Sequence, residues 1–240
     1  MTEHPHTRTR IDAVGDGVYR IHTPVSEIPG GFSFNQYLVV DDEALLFHCG
    51  LRALADPILE AIGSVVPIER LRWIGVSHME SDECGGLNRL LAAAPNAQPV
   101  CGQTGAMISM NDFADRPPRP LEDGEVLTLG GKRLRWIDAP FVPHGWDCGY
   151  LFEETGSTLL CGDFFTQPGT GEAPVVEGDI LGPSEAFRAR MDYFSHAPHT
   201  AATIGRLAGL EPELLACMHG SAWRGDGKTL LTELGEALGR

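Results

Sequence analysis

Trp73-Ile74-Gly75-Val76-Ser77 runs directly into His78-Met79-Glu80-Ser81-Asp82-Glu83, and Gly85-Gly86 with a helical stretch from Leu87 to Ala94 follows. The first five residues read as a short buried strand. The next six carry four side chains able to bind a metal: His78, Glu80, Asp82 and Glu83. In extended backbone, alternate side chains share a face. His78, Glu80 and Asp82 therefore start on one side, and a loop lets Asp82 and Glu83 curl toward a second ion. Burying several carboxylates without partners is expensive, and cations relieve that cost. Taken alone, the stretch also fits an acidic surface loop.

Working outward, the same pattern of short strands and helices recurs on both sides. Val18 to His22 alternates as a strand does. Asn35 to Val40 and Ala44 to Phe47 flank Asp41-Asp42-Glu43, a tight hairpin. Ala53 to Val65 has helical spacing through Leu54, Ile58, Leu59 and Ile62. Val100 to Gly102 reads as a strand, Ala106 to Phe113 as a short helix, and Pro117, Pro118 and Pro120 mark a surface connection. In the second half, Val126 to Leu129 and Arg133 to Ile137 flank Gly130-Gly131. Tyr150 to Phe152 and Thr158 to Cys161 flank a turn containing Thr155-Gly156. Residues 164–182 are rich in Gly and Pro and read as a loop. Helices near 184–195 and 199–209, a strand from Leu214 to Cys217 and a helix from Lys228 to Leu238 complete the chain. Two groups of strands, each followed by helices, predict an α/β fold with two mixed β-sheets packed together and helices outside, an αββα sandwich. The expected organisation is a loose tail over residues 1–10 and one domain over 11–240.

Three more residues of ligand type sit just past apolar strands. His144 lies in Ala139-Pro140-Phe141-Val142-Pro143-His144-Gly145-Trp146. Asp163 closes Leu159-Leu160-Cys161-Gly162-Asp163, and His219 follows Leu214-Leu215-Ala216-Cys217-Met218. Singly, each has an ordinary reading: His144 and His219 as hydrogen-bonded histidines, Asp163 as a turn residue. Together they matter, because strand ends gathered on one rim of a sandwich bring distant residues together. Trp146, Phe165, Tyr193 and Trp223 are candidates for the pocket wall or for core. His22, His196 and His199 read as surface or loop residues, and His4 and His6 lie in the tail.

Bulk properties narrow the partners. With 18 basic against 33 acidic residues, the net charge is −15. The chain offers no Lys/Arg cluster of the kind a phosphate backbone needs; Lys132, Arg133 and Arg135 alternate as on the exposed face of a strand. Nucleic acid and membrane surfaces are thus excluded as expected partners. No run approaches the roughly 20 apolar residues that span a bilayer, and residues 1–10 lack the apolar segment of a secretory signal. Six cysteines occur without a Cys-x-x-Cys pair. Cys49, Cys101, Cys161 and Cys217 follow apolar runs and read as small buried hydrophobes in a reducing compartment, so the expected location is the cytoplasm.

The order His78-x-Glu80-x-Asp82, then His144, then Gly162-Asp163, then His219-Gly220 resembles the metallo-β-lactamase superfamily, and within it the di-iron branch of flavodiiron and oxygen-binding di-iron proteins. The resemblance spans about residues 11–240 and extends to Asn35-Gln36-Tyr37-Leu38 and to His219-Gly220-Ser221-Ala222-Trp223-Arg224. It implies two iron ions, with His78, Glu80 and His144 on one, Asp82 and His219 on the other, and Asp163 bridging. Zinc hydrolases of the superfamily normally carry histidine where Glu80 stands. Carboxylate ligation suits iron or manganese, whereas imidazole-rich ligation suits zinc.

The chain departs from the pattern at three points. Glu83 stands where many members have histidine; it either ligates the second metal, hydrogen-bonds a bound water, or points away. His48, in Leu45-Leu46-Phe47-His48-Cys49-Gly50, replaces a supporting Asp and is either a partner of a ligand or a plain strand-end histidine. The chain ends about twenty residues after His219, which leaves no room for a flavodoxin-like domain. No bound flavin is therefore expected, and electrons would come from a separate donor protein. The implied function is binding of O2 or NO at the di-iron site, with reduction when electrons are supplied, in a homodimer. The alternative is a dinuclear hydrolase, with zinc or manganese, acting on an ester, thioester or phosphodiester small molecule.

Overall fold

The computed structural model describes residues 9–239. Two seven-stranded sheets form its centre. The first runs in sequence order: β1 (Arg10–Gly15), β2 (Val18–Val25), β3 (Phe32–Val40), β4 (Ala44–Phe47), β5 (Leu71–Gly75), β6 (Gln98–Gly102) and β7 (Arg119–Leu121). Neighbours are antiparallel from β1 to β4 and parallel from β4 to β7. The second sheet holds β8 (Val126–Thr128), β9 (Arg133–Asp138), β10 (Gly149–Glu153), β11 (Thr158–Leu160), β12 (Val175–Val176), β13 (Leu214–Ala216) and β14 (Ala222–Arg224). Its spatial order is β12-β14-β13-β11-β10-β9-β8. Strands β8 to β11 form an antiparallel meander, and β13 joins β11 in parallel.

Side chains from both inner faces fill the space between the sheets. Tyr37, Val39, Leu45, Phe47 and Val100 meet Leu134, Trp136, Leu151, Leu160 and Leu214. On the outer face of the first sheet lie α1 (Ala55–Gly63), the short α2 (Ser81–Cys84) and α3 (Leu87–Ala93). Helix α1 turns Ile58 and Ile62 inward and α3 turns Leu87, Leu90 and Leu91, which is the one-stripe burial expected of a surface helix. Gln103–Gly105 (α4), a π-helical turn and Asn111–Phe113 (α5) follow β6. On the second sheet lie α6 (Leu181–Met191), α7 (Thr200–Ala208) and α8 (Gly227–Leu238). Ile204 and Leu207 of α7 pack with Leu230, Leu231 and Leu234 of α8. Asp226 caps α8 by accepting from the Thr229 amide at 3.0 Å, a contact of about 1 kcal/mol. The expected αββα layering is the observed one.

Some local readings need correction. His4, His6 and the expected tail up to residue 8 lie outside the described residues, while Arg10 already pairs with His22 in β1. Lys132 is buried rather than exposed. It shares the inward phase of Leu134 and Trp136, and its Nζ lies 3.6 Å from buried Glu153. His22 is also buried, between Arg20 and Asn35. Pro120, expected in a connection, sits in β7, an edge strand where a missing N–H is tolerated. The expected β10–β11 hairpin is present, with Ser157 in the left-handed conformation. Cys49, Cys101, Cys161 and Cys217 are free and buried as expected, and so are Cys84 and Cys148.

Candidate metal centre

Each candidate ligand leaves the sandwich at the same rim. Beyond β5, the Val76 amide still bonds to Val100, so the chain stays extended to His78 before turning through Glu80 into α2. The 139–148 loop closes on itself through Ala139 N–H to Cys148 and Phe141 N–H to Gly145, and it carries His144 at its tip. Gly145 has φ +74°, and an added Cβ there would come within 3.3 Å of the His78 Cβ. The Asp163 and His219 loops are tied to each other by Met218 N–H to Gly162 O, 2.9 Å. They are tied to the first sheet by Asn35 N–H to Met218 O, 2.8 Å. Gly220, at φ +90°, lies so close to Gln167 that a Cβ would meet it at 2.5 Å.

The strand ends bring six candidate ligands together. His78 Nε2 and His144 Nε2 are 3.0 Å apart. Asp163 Oδ2 lies 3.5 Å from the first and 3.3 Å from the second. Glu80 Oε1 lies 3.2 Å from His144 Nε2 and 3.9 Å from His78 Nε2. The other oxygen of Asp163, Oδ1, is 3.6 Å from His219 Nε2, and Asp82 Oδ2 is 3.5 Å from that same nitrogen. Asp163 therefore stands between two poles: His78, Glu80 and His144 on one side, Asp82 and His219 on the other. Glu83 is buried nearby, grouped with His78 and Glu80.

Hydrogen bonds fix which ring nitrogens face the centre. A carbonyl oxygen only accepts, so His144 Nδ1 donates to Tyr193 O and His219 Nδ1 donates to Ser33 O, both at 2.8 Å. In the neutral rings, each Nε2 then carries its lone pair toward the centre, the tautomer a metal ligand needs. For His78 the same result comes through a relay. Its Nδ1 lies 2.9 Å from Ser77 Oγ, and Ser77 Oγ lies 2.9 Å from His48 Nε2. With His78 donating from Nδ1, the serine hydroxyl donates to His48, whose own Nδ1–H faces Met218 Sδ at 2.9 Å. His48 thus acts on His78 through Ser77; it is not a plain strand-end histidine.

Charge at the site favours cations. Hydrogen bonding to His144 holds Glu80 below the usual carboxylate range. Burial opposes ionisation of Asp163, yet the imidazole of His219 beside it, with those of His78 and His144, brings it down. Burial likewise opposes charge on His144, but Glu80 and Asp163 raise it to about 9. His219 moves up against its burial because of Asp163 and Asp82. Burial, with Asp163 and Asp82 adding to it, pushes Glu83 well above the carboxylate range. Burial lowers His48 to about 3, which keeps it neutral in the relay. Both Glu83 oxygens and Asp163 Oδ1 are buried without a hydrogen-bond partner. Orphaned oxygens beside lone pairs from three imidazoles fit two metal ions, and His78, Glu80, Asp82, Glu83, His144, Asp163 and His219 are the residues able to hold them.

The pocket wall differs from the expected one. Phe32 lies against His219 with ring centroids 4.5 Å apart, Phe187 stacks on Phe32 at 5.9 Å, Tyr193 follows at 6.2 Å, and His144 lies 6.2 Å from Tyr193. This aromatic arc spans both poles. Of the four aromatic residues read as either wall or core, Tyr193 belongs to it. Phe165 is core, Trp223 is nearly buried and bonds to Gly178 O, and Trp146 is 55% exposed. Phe32 and Phe187 carried no signal in the sequence that separated them from core aromatics.

Among curated proteins, the chain is 27% identical over 206 residues to rubredoxin-oxygen oxidoreductase of Megalodesulfovibrio gigas, covering 82% of this chain and 50% of that protein. It is 24% identical over 215 residues to the anaerobic nitric oxide reductase flavorubredoxin of Salmonella arizonae, covering 85% and 44%. The chain thus spans about half the length of these relatives. Its fold is that of the metal-soaked Flv1 flavodiiron core from Synechocystis, with TM-score 0.81 and 19% identity over 98% of this chain and 62% of that one. It also matches a fragment of a putative diflavin flavoprotein A 5 from Nostoc, with TM-score 0.82 and 18% identity over 98% and 95%. Residues 32–220 match the family model described as ODP family beta lactamase, and the chain belongs to that family.

Proposed function

We propose that this chain is the di-iron unit of an oxidoreductase that binds O2 or NO and reduces it with electrons from a separate donor protein. The observation that carries the reading is the placement of Asp163, with Oδ2 toward His78 and His144 and Oδ1 toward His219. One carboxylate aimed at two imidazole clusters is the arrangement for bridging two ions. Glu80 adds a carboxylate where an imidazole would favour zinc. Two ferrous ions would supply electrons and open coordination positions for a diatomic molecule. The chain's own residues fix the imidazole lone pairs, hold Glu80 and Asp163 ionised, and set Phe32 against His219 and Tyr193 against His144 with Phe187 between them. Those rings suit a small apolar gas better than a charged ester.

The named relatives, an oxygen oxidoreductase and a nitric oxide reductase, support the same reading. The proposal includes a single metal-binding domain over residues 11–240, a homodimer and a cytoplasmic location. Six free buried thiols suit that compartment. Among the described residues, no helix is long and apolar enough to cross a membrane.

The test is metal content by mass spectrometry, on protein made with iron and zinc both available and purified without oxygen or chelators. About two irons per chain is expected, with spectral changes on adding O2 and NO. About two zincs, with no response to either gas, would overturn the reading and favour hydrolysis.

A further inference from the structure

Glu83 is the residue at the centre whose surroundings least suit a metal-free role. It is 1% exposed, and neither carboxylate oxygen has a hydrogen-bond partner. Its main chain cannot easily turn it away, because its carbonyl accepts from the Cys49 amide at 2.6 Å. One of its oxygens lies within 4.8 Å of ligand atoms of both His78 and Glu80, which belong to the first pole. Asp82, its neighbour in α2, belongs to the second pole through His219. Glu83 therefore brings its oxygens to the first pole from α2, one residue along from Asp82 of the second pole, while Asp163 reaches both from the end of β11.

We propose that Glu83 is a second carboxylate bridge, binding both metal ions. This rests on the two-metal reading above. An imidazole at this position offers one lone pair to one ion, whereas a carboxylate has two oxygens and can touch two. Burial without partners is what an acid does when a cation stands in for hydrogen bonds. Glu83, Glu80, Asp82 and Asp163 together bring four negative charges, enough to neutralise two divalent ions without further anions.

The experiment measures metal affinity by competition with a chelator, for the full chain and for Glu83→Gln and Glu83→His, with iron under anaerobic conditions and with zinc. A bridge predicts that Glu83→Gln weakens both ions by at least about 10-fold, the loss seen when even an outer partner of a metal site is removed. Glu83→His should keep one ion near its original affinity and weaken the other. Two ions held as tightly in both variants as in the unmodified chain would overturn the bridge while leaving the di-iron reading intact. Weakening of one ion only in Glu83→Gln would make Glu83 a terminal ligand and overturn bridging. An unmodified chain that never takes a second ion would overturn the reading and the bridge together. If Glu83→Gln does not fold, judged by thermal unfolding, Glu83→His decides alone.

Discussion

The two poles of the centre are built differently. Around His78 and His144, five contacts join the two imidazole nitrogens to each other and to Glu80 Oε1 and Asp163 Oδ2, at 3.0 to 3.9 Å. This pole is compact on its own. The second pole has two contacts to His219, at 3.5 and 3.6 Å. It also holds the unpartnered Asp163 Oδ1, while the unpartnered Glu83 oxygens lie beside His78 and Glu80 of the first pole. The first pole is the more tightly packed, while the second has fewer contacts and the unpartnered Asp163 Oδ1 turned toward it. A site assembled this way should load asymmetrically, with the compact first pole and the looser second pole holding their ions with different affinity.

The sharpest way to break this picture is at the shared residue. Asp163→Ala removes the carboxylate that both poles use and should abolish tight binding of both ions. Retention of two tightly bound metals, measured after gel filtration, would show that the poles are independent. Smaller in expected size is the effect of His48→Ala. It leaves His78 in place but removes the end of the relay through Ser77. Loss of such an orienting partner typically weakens metal binding about 10- to 100-fold. The comparison of poles requires that the loss fall on the ion held by His78 and spare the one held by His219. Stepwise titration would show this as one shifted binding event out of two; equal weakening of both would refute it.

Much of this was legible in the sequence. All seven candidate ligands come from apolar strand ends or the loop after β5, and the structure puts them on one rim. Asn35 and Tyr37 stand in a stretch that carries the family resemblance. The structure supplies a reason: Asn35 Nδ2 donates to the carbonyls of Cys217 and Gly220, and Tyr37 donates to Cys217, so β3 holds the loop that carries His219. The relay from His48, the Ser33 carbonyl behind His219 and the aromatic arc were not legible. Each depends on contacts between distant segments, such as Ser33 with His219, and periodicity within a strand does not reveal which distant strand end it will face. His22 was misread for the same reason: a lone histidine in an alternating strand looks like a surface residue until its neighbour Arg20 is seen to turn inward with it.

That buried pair gives the prediction with the smallest effect on metal binding and the clearest effect on the scaffold behind the second pole. Arg20 donates to the carbonyls of Gly171 and Gly220, both at 2.7 Å, and its guanidinium also lies 2.8 Å from His22 Nδ1. His22 Nε2 is buried without a partner. Burial first, then the Arg20 charge, lowers His22 from 6.5 to about 4 against a smaller upward pull from Asn35; Arg10 and Glu172 are the other charges that act on it. Because the folded value lies below the unfolded one, the unfolded chain binds the proton first as pH falls. Stability from this group is complete above about pH 6.5, declines between about 6.5 and about 4, and is flat below. In denaturant titrations at matched metal loading, the unmodified chain should lose stability across this window more steeply than His22→Gln. Identical pH slopes would mean that His22 opens to water in the folded protein and that the anchor behind His219 is looser than its hydrogen bonds imply. A steeper slope in the unmodified chain, with no change in metal affinity above pH 6.5, would place the pH sensitivity in the scaffold and leave the asymmetry of the poles to the carboxylates.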